Sequence, residues 1–181
     1  SDVFVTNTTF IDNKSSFSSC IWGQANASKP LNLRIINCLF SENVNDNYGG
    51  VQTGGIFYFN SNGAYANLVT SIVNSTITYN SDNVTSSTNG QVIMINKSHN
   101  SQSNAVLEVS NSILYNNAGF MHTTKKYNSS SYVFTSAAFV RCISEINSYA
   151  INTSRARVYT HDPLFTSTTT RDFTLQSTSP A

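Results

Sequence analysis

Charge is what this chain has least of. Its 181 residues carry 10 Lys and Arg, 9 Asp and Glu and 3 His, a charged fraction of 10% and a net charge of +1. Globular domains usually reach about a quarter. The basic residues are scattered, and Lys125-Lys126 is the only adjacent pair, so no nucleic-acid partner is expected. Long apolar runs are missing too. No stretch of about 18 apolar residues exists, so no membrane span is expected in this segment, and no signal-peptide pattern is visible. No Cys/His spacing suits zinc and no glycine pattern suits a phosphate loop; no cofactor is expected. Cysteine is scarce and odd in number: Cys20, Cys38 and Cys142. At least one is therefore unpaired within the chain. Cys38 and Cys142 share a repeat position but lie about three repeats apart, too far to bridge. A Cys20–Cys38 bridge between adjacent repeats stays open, as does the reading of Cys as a small buried hydrophobe.

Asn, Ser and Thr are abundant instead. Such polarity could mean disorder, but 39% hydrophobic and 12% aromatic residues argue for turn-rich β-structure with a polar outer face. A spaced signature recurs five times: apolar, any residue, Asn, two residues, apolar, two residues, Asn. The copies are Val5/Asn7/Phe10/Asn13, Ile35/Asn37/Phe40/Asn43, Ile72/Asn74/Ile77/Asn80 and Val109/Asn111/Leu114/Asn117, then a degenerate Phe139/Arg141/Ser144/Asn147. Spacing inside each copy is constant, while offsets between copies are 30, 37, 37 and 30 residues. Constant cores with elastic connections predict a solenoid, in which each coil stacks on the last and loops vary.

The fold expected is all-β: a right-handed parallel β-helix of about five coils with variable loops. Residues 1–160 form the coils and 161–181 a C-terminal closing segment. Three strands per coil are expected, the third led by Gly54-Gly55 or Gly90-Gln91. Val5, Ile35, Ile72, Val109 and Phe139 should stack inward, and Phe10, Phe40, Ile77 and Leu114 should form a second apolar stack. Asn7, Asn37, Asn74 and Asn111 should form one side-chain ladder, and Asn13, Asn43, Asn80, Asn117 and Asn147 another, because an amide both donates and accepts along the axis. Arg141 breaks the first ladder, which suggests that the solenoid is ending there. The chain opens on a working repeat and stops abruptly, so it is expected to be a piece of a longer protein or to be capped by a partner. End-to-end stacking on other segments or copies follows.

Phe10-Ile-Asp-Asn13, Phe40-Ser-Glu-Asn43 and Gly54-Gly55-Ile56 resemble the Phe-X-X-Asn and Gly-Gly-Ala-Ile repeats of polymorphic outer-membrane-type adhesins. More broadly they resemble the right-handed parallel β-helix repeats of secreted and cell-surface proteins. The segment from Asp162-Pro-Leu-Phe165 through Asp172-Phe-Thr-Leu-Gln176 to Ser179-Pro-Ala181 is similar to a tail that often closes such domains. The resemblance implies a scaffold that carries adhesins, fibres and polysaccharide-cleaving enzymes alike.

Catalysis on such a scaffold needs clustered acids. Asp12 and Glu42 share the column before the ladder Asn and could share a cation, with Asp46 close by. Tyr79 and Asn116 end that acidic column. His122, Lys125 and Lys126 read as an exposed loop, His161-Asp162 as a turn and His99 as solvated. Trp22, Tyr48, Tyr58, Tyr65, Tyr79 and Tyr115 are the aromatic candidates for sugar stacking. Of eight Asn-X-Ser/Thr sequons, Asn26, Asn83, Asn96 and Asn128 fall in expected loops and are the better glycan acceptors. The functional expectation is a non-catalytic structural or adhesive module of an extracellular or cell-surface protein or fibre. The alternative is a polysaccharide-binding or polysaccharide-cleaving domain.

Overall fold

A computed structural model describes residues 1–16, 18–26, 29–46, 56–62, 65–82, 92–97, 104–117, 123–126, 135–144 and 153–181. Every regular element among these residues is a β-strand. Four series of strands recur along the chain. The first is Asp2–Thr6, Leu31–Ile36, Asn67–Val73, Asn104–Ser110 and Thr135–Ser144; the second is Thr9–Ile11, Leu39–Ser41, Thr76–Thr78 and Ile113–Tyr115. The third holds only two-residue strands, Lys14–Ser15, Val44–Asn45 and Ser81–Asp82; the fourth is Ile21–Asn26, Phe57–Asn62, Ile93–Lys97 and Thr123–Lys126. Within each series every strand pairs in parallel with the equivalent strand of the next repeat. Four strands per repeat replace the three expected. The extra one is too short to carry a hydrophobic period, which is why sequence pattern passes over it.

Register follows the repeat. Val5 pairs with Ile35, Ile35 with Ile72, Ile72 with Val109 and Val109 with Phe139. Phe10 pairs with Phe40, Phe40 with Ile77, Ile77 with Leu114 and Leu114 with Ser144. Side chains alternate across a strand, so a one-residue slip would turn all of these outward. Ile35, Ile72, Phe40, Ile77 and Leu114 are fully buried. Phe10 stacks on Phe40 with ring centroids 4.6 Å apart and 7° between planes, and Phe57 meets Phe40 edge-on at 4.6 Å. The fourth series thus closes the core opposite the second. Gly23 pairs with Phe59 there. A Cβ at Gly23 would lie 3.2 Å from the Leu31 side chain, closer than ordinary packing, and in ordinary contact with Phe59 at 3.5 Å, so glycine makes room for Leu31.

The degenerate fifth copy keeps register although its Asn and its second apolar residue are gone. Its strand, Thr135–Ser144, runs unbroken through the first and second series and joins them into one sheet. A further parallel strand, Thr153–Tyr159, then pairs with it, Phe139 opposite Arg155 and Cys142 opposite Val158. The repeat signature does not announce that strand. The final segment forms a small antiparallel pair, Phe165–Ser167 with Asp172–Leu175. It is sewn by Gln176 N–H to Leu164 O at 2.9 Å and Ser179 Oγ to Pro163 O at 2.6 Å.

Candidate functional site

Two columns of left-handed residues mark the corners. Asn7, Asn37, Asn74 and Asn111, with φ between 48 and 54°, turn the chain between the first and second series, and Arg141 (54°) and Arg157 (57°) continue that column. Asn tolerates this conformation better than most residues with a side chain. These Asn side chains are exposed. Asn37 donates to Asn7 Oδ1 at 2.6 Å, but among the described residues no side-chain bond continues that contact to Asn74 or Asn111. The expected first ladder is therefore corrected. Backbone bonds tie this corner, such as Asn37 N–H to Val73 O at 3.0 Å, and left-handed turning is what the position needs. Asp12, Glu42, Tyr79 and Asn116 form the second left-handed column, with φ between 53 and 57°.

The second Asn column is different. Asn13, Asn43, Asn80 and Asn117 lie at least half-buried and form a continuous ladder. The Oδ1 of Asn43 accepts from the backbone N–H of Asn13 at 3.0 Å and from its Nδ2 at 2.8 Å. Asn80 does the same for Asn43 at 3.0 and 2.9 Å, and Asn117 for Asn80 at 3.1 and 2.9 Å. The remaining Nδ2 protons go to Phe10 O, Phe40 O and Ile77 O. Each buried amide is thereby satisfied, as burial demands. Asn147 lies outside the described residues.

A second polar column escaped sequence reading. Thr8, Cys38, Ser75, Ser112 and Cys142 occupy equivalent positions. Each hydroxyl or thiol donates to the carbonyl two residues back: Thr8 to Thr6 O at 2.8 Å, Ser75 to Val73 O at 2.9 Å, Ser112 to Ser110 O at 2.7 Å and Cys142 to Val140 O at 3.4 Å. Ser75 Oγ also accepts from Cys38 N–H, and Ser112 Oγ from Ser75 N–H, both at 3.1 Å. Cys142 Sγ accepts from Ser112 N–H. Cysteine here is thus an understudy for serine rather than an inert filler. All three thiols are free, which removes the Cys20–Cys38 bridge. Burial drives the Cys20 thiol up to about 12, and raises Cys142 as well.

The acid pair meets a cation from within the chain. Arg171, on the turn between the two terminal strands, bonds Asp12 at 2.7 Å and Glu42 at 2.6 Å. Its pKa is raised further by those hydrogen bonds. Phe173, two residues on, lies 6.1 Å from the Tyr79 ring and edge-on to Phe165 at 5.4 Å. Tyr79 Oη accepts from Asn116 Nδ2 at 3.0 Å. The terminal segment thus runs along the second left-handed column, and Asp12 and Glu42 face an arginine rather than a shared cation. Asp46 does not join them: it is buried and ion-paired to Lys14. Among the described residues no three His, Cys, Asp or Glu side chains converge as metal ligands.

The aromatic candidates divide. Trp22 is 56% exposed and Tyr65 67% exposed, whereas Tyr58 is buried, which corrects its candidacy for sugar stacking. Tyr115 is half-buried; Tyr48 lies outside the described residues. Of the sequons, Asn26 ends the strand Ile21–Asn26 and Asn96 lies within Ile93–Lys97, so both are strand residues and the loop expectation is corrected. Asn26 is exposed and accepts from Gln24 Nε2 at 2.8 Å. Asn83 and Asn128 lie outside the described residues. Lys125 and Lys126 also belong to a strand, Thr123–Lys126, pairing with Asn96 and Lys97; His122 and His99 lie outside the described residues. Asp162 Oδ1 accepts from Leu164 N–H at 2.8 Å, a local Asx turn.

No family model, no curated protein and no solved structure matches this chain.

Proposed function

We propose that the chain is a right-handed parallel β-helix of about five coils, acting as a non-catalytic structural or adhesive module of an extracellular or cell-surface protein or fibre. The single observation that carries this reading is the buried Asn13–Asn43–Asn80–Asn117 ladder. It commits the most regular polar residues to the scaffold. The acid pair best suited to catalysis is neutralised by Arg171, which supports the same reading. Eight sequons support an extracellular setting.

Partners are further segments or copies stacked end to end. Asp2–Thr6, Thr9–Ile11, Lys14–Ser15 and Ile21–Asn26 are each the outermost strand of their series, and an unpaired edge invites another strand. Val3, on the inward side of that edge, is 42% exposed. Asn13 Oδ1 accepts from no described residue, so the ladder ends in an open acceptor that another Asn-bearing coil would fill. Five coils at roughly 4.8 Å give about 24 Å of axial length, so a useful stalk needs this stacking.

Incubation with a panel of uronans and neutral glycans tests the reading. The expected result is no new reducing ends; robust depolymerisation, lost in Asp12→Asn or Glu42→Gln, overturns it in favour of an enzyme. The exposed Trp22 and Tyr65 favour glycan binding as the second reading, which predicts saturable binding without turnover.

A further inference from the structure

The corner column that turns the first series into the second changes chemistry along its length. Asn7, Asn37, Asn74 and Asn111 are neutral amides; Arg141 and Arg157 are cations in the same left-handed conformation. The pairing of Val140 with Ala156 and Cys142 with Val158 sets the two arginines directly opposite each other on adjacent strands. The fold explains neither choice. A left-handed corner is served better by Asn than by Arg, and like charges directly opposite are unfavourable. Both side chains are exposed. Neither has an ion-pair partner among the described residues, in contrast to Lys14 and Arg171.

Beside this pair lies a cavity of about 380 Å³. That is within the range of small-molecule sites, roughly 300–1,000 Å³. Its lining is apolar at Ile113, Ile143 and Leu175 and polar at Arg141, Asn111 and Ser112, and Tyr159 adds an aromatic ring. Tyr159 is 50% exposed, so its ring is available to a ligand. The terminal segment contributes Leu175, Pro180 and Ala181, so the cavity exists only where that segment folds back on the strands. The lining therefore combines one unpaired guanidinium, one amide that can donate and accept, and an apolar and aromatic body. A planar guanidinium fork matches a carboxylate with two parallel bonds, and apolar walls with a tyrosine ring suit the face of a compact ring.

We propose that this cavity binds a carboxylate carried on a six-membered ring. Arg141 takes the carboxylate, Arg157 adds long-range attraction, and Asn111 bonds a polar substituent on the ring. The bound anion relieves the repulsion between the two arginines, which gives the column its reason to depart from Asn. The chemistry has two sources: a free aromatic acid, or a uronic acid at the end of a glycan. The second would supply the adhesive reading above with a ligand site. The site itself rests on the cavity and the arginine pair and needs no catalytic group.

Titration of the full chain with sodium benzoate and with sodium glucuronate, followed by amide NMR, tests the proposal. Saturable shifts are expected at Asn111, Ile113, Arg141 and Ile143, with the Trp22 indole unmoved. Benzoate alone assigns the site to free aromatic acids, and glucuronate alone to glycan ends. Arg141→Asn restores the residue found four times in this column, so it is expected to fold and to bind at least tenfold more weakly. Arg157→Gln, at a position outside the cavity wall, is expected to weaken binding less and to reduce its salt dependence. Absence of saturable shifts with both acids overturns the proposal, as does undiminished binding in Arg141→Asn. The ligand-free spectrum separates this outcome from failure of the scaffold, because cross-strand contacts between Ile35, Ile72 and Val109 persist if only the site is wrong.

Discussion

Asn80 places its Oδ1 3.0 Å from the backbone nitrogen of Asn43 and 2.9 Å from the Asn43 side-chain nitrogen. One buried oxygen therefore satisfies two donors of the preceding repeat, while the Asn80 amide reaches back to Phe40 O at 3.0 Å. Removing that side chain leaves the buried Asn43 backbone N–H without its acceptor, takes one of two partners from the Asn43 amide nitrogen, which keeps Phe10 O, and removes a donor from Phe40 O. Asn80→Ala is expected to cost about 2–3 kcal/mol, since an orphaned buried group costs about 1–3 kcal/mol and the weakened ones add to it. Asn74, whose exposed side chain sits in the other column, behaves oppositely. Asn74→Gly keeps the left-handed turn and is expected to change stability by no more than about 0.5 kcal/mol. Asn74→Val is expected to cost about 1–2 kcal/mol, because a β-branched residue strains that conformation. Urea unfolding of the three variants checks the contrast.

Thr70 stands where Leu33 and Leu107 stand in the neighbouring repeats. It is buried to 1% exposure, and its hydroxyl has no hydrogen-bond partner among the described residues. An unpaired buried hydroxyl costs about 1–3 kcal/mol by mutational measures. Thr70→Val is expected to stabilise the protein by about 1 kcal/mol, read as a rise in the urea midpoint at unchanged slope.

Cys142 and Ser112 test the hydroxyl-and-thiol column. Cys142→Ser retains a donor and an acceptor and is expected to stay within about 1 kcal/mol of the parent. Cys142→Val keeps the volume but orphans the Ser112 N–H, and is expected to cost about 1–3 kcal/mol. Equal losses in the two variants would mean that packing, not hydrogen bonding, holds the position.

Cys20 sets a pH dependence. Its thiol is raised from 9.0 to about 12 by burial. The folded state therefore holds that proton more tightly than the unfolded state does. The resulting stability is fully present below pH 9 and is lost as pH rises towards 12. The denaturant midpoint should fall across this window, and fall less in Cys20→Ser, which removes the thiol. The native thiol should also react slowly with a disulfide reagent at pH 8, and quickly once unfolded.

How much of this was legible in the sequence depended on whether function at a position fixed residue identity. Phe10, Phe40, Ile77 and Leu114 line one apolar column, which large apolar residues fill until Ser144 takes the place in the fifth copy, so spacing revealed it. The Asn13–Asn117 ladder needs an amide at each level, so identity repeats. The Thr8–Cys38–Ser75–Ser112–Cys142 column needs only a short donor that also accepts. Three residue types satisfy that need, and the column reads as noise. The corner of Asp12, Glu42, Tyr79 and Asn116 needs only a left-handed backbone, and the side chains vary. Arg171 lies 129 residues from Glu42, a distance at which no local pattern links them. The strand Thr153–Tyr159 follows its partner by a shorter offset than any repeat copy, so repeat spacing could not place it.

The most direct test of the account is amide and side-chain NMR of the unliganded chain in deuterated solvent. Parallel cross-strand contacts are expected along Val5, Ile35, Ile72, Val109 and Phe139. The side-chain amide protons of Asn43 and Asn80 are expected to exchange slowly, and those of Asn74 and Asn111 at once. Antiparallel contacts between those strands, or equal and rapid exchange in both Asn columns, would contradict it.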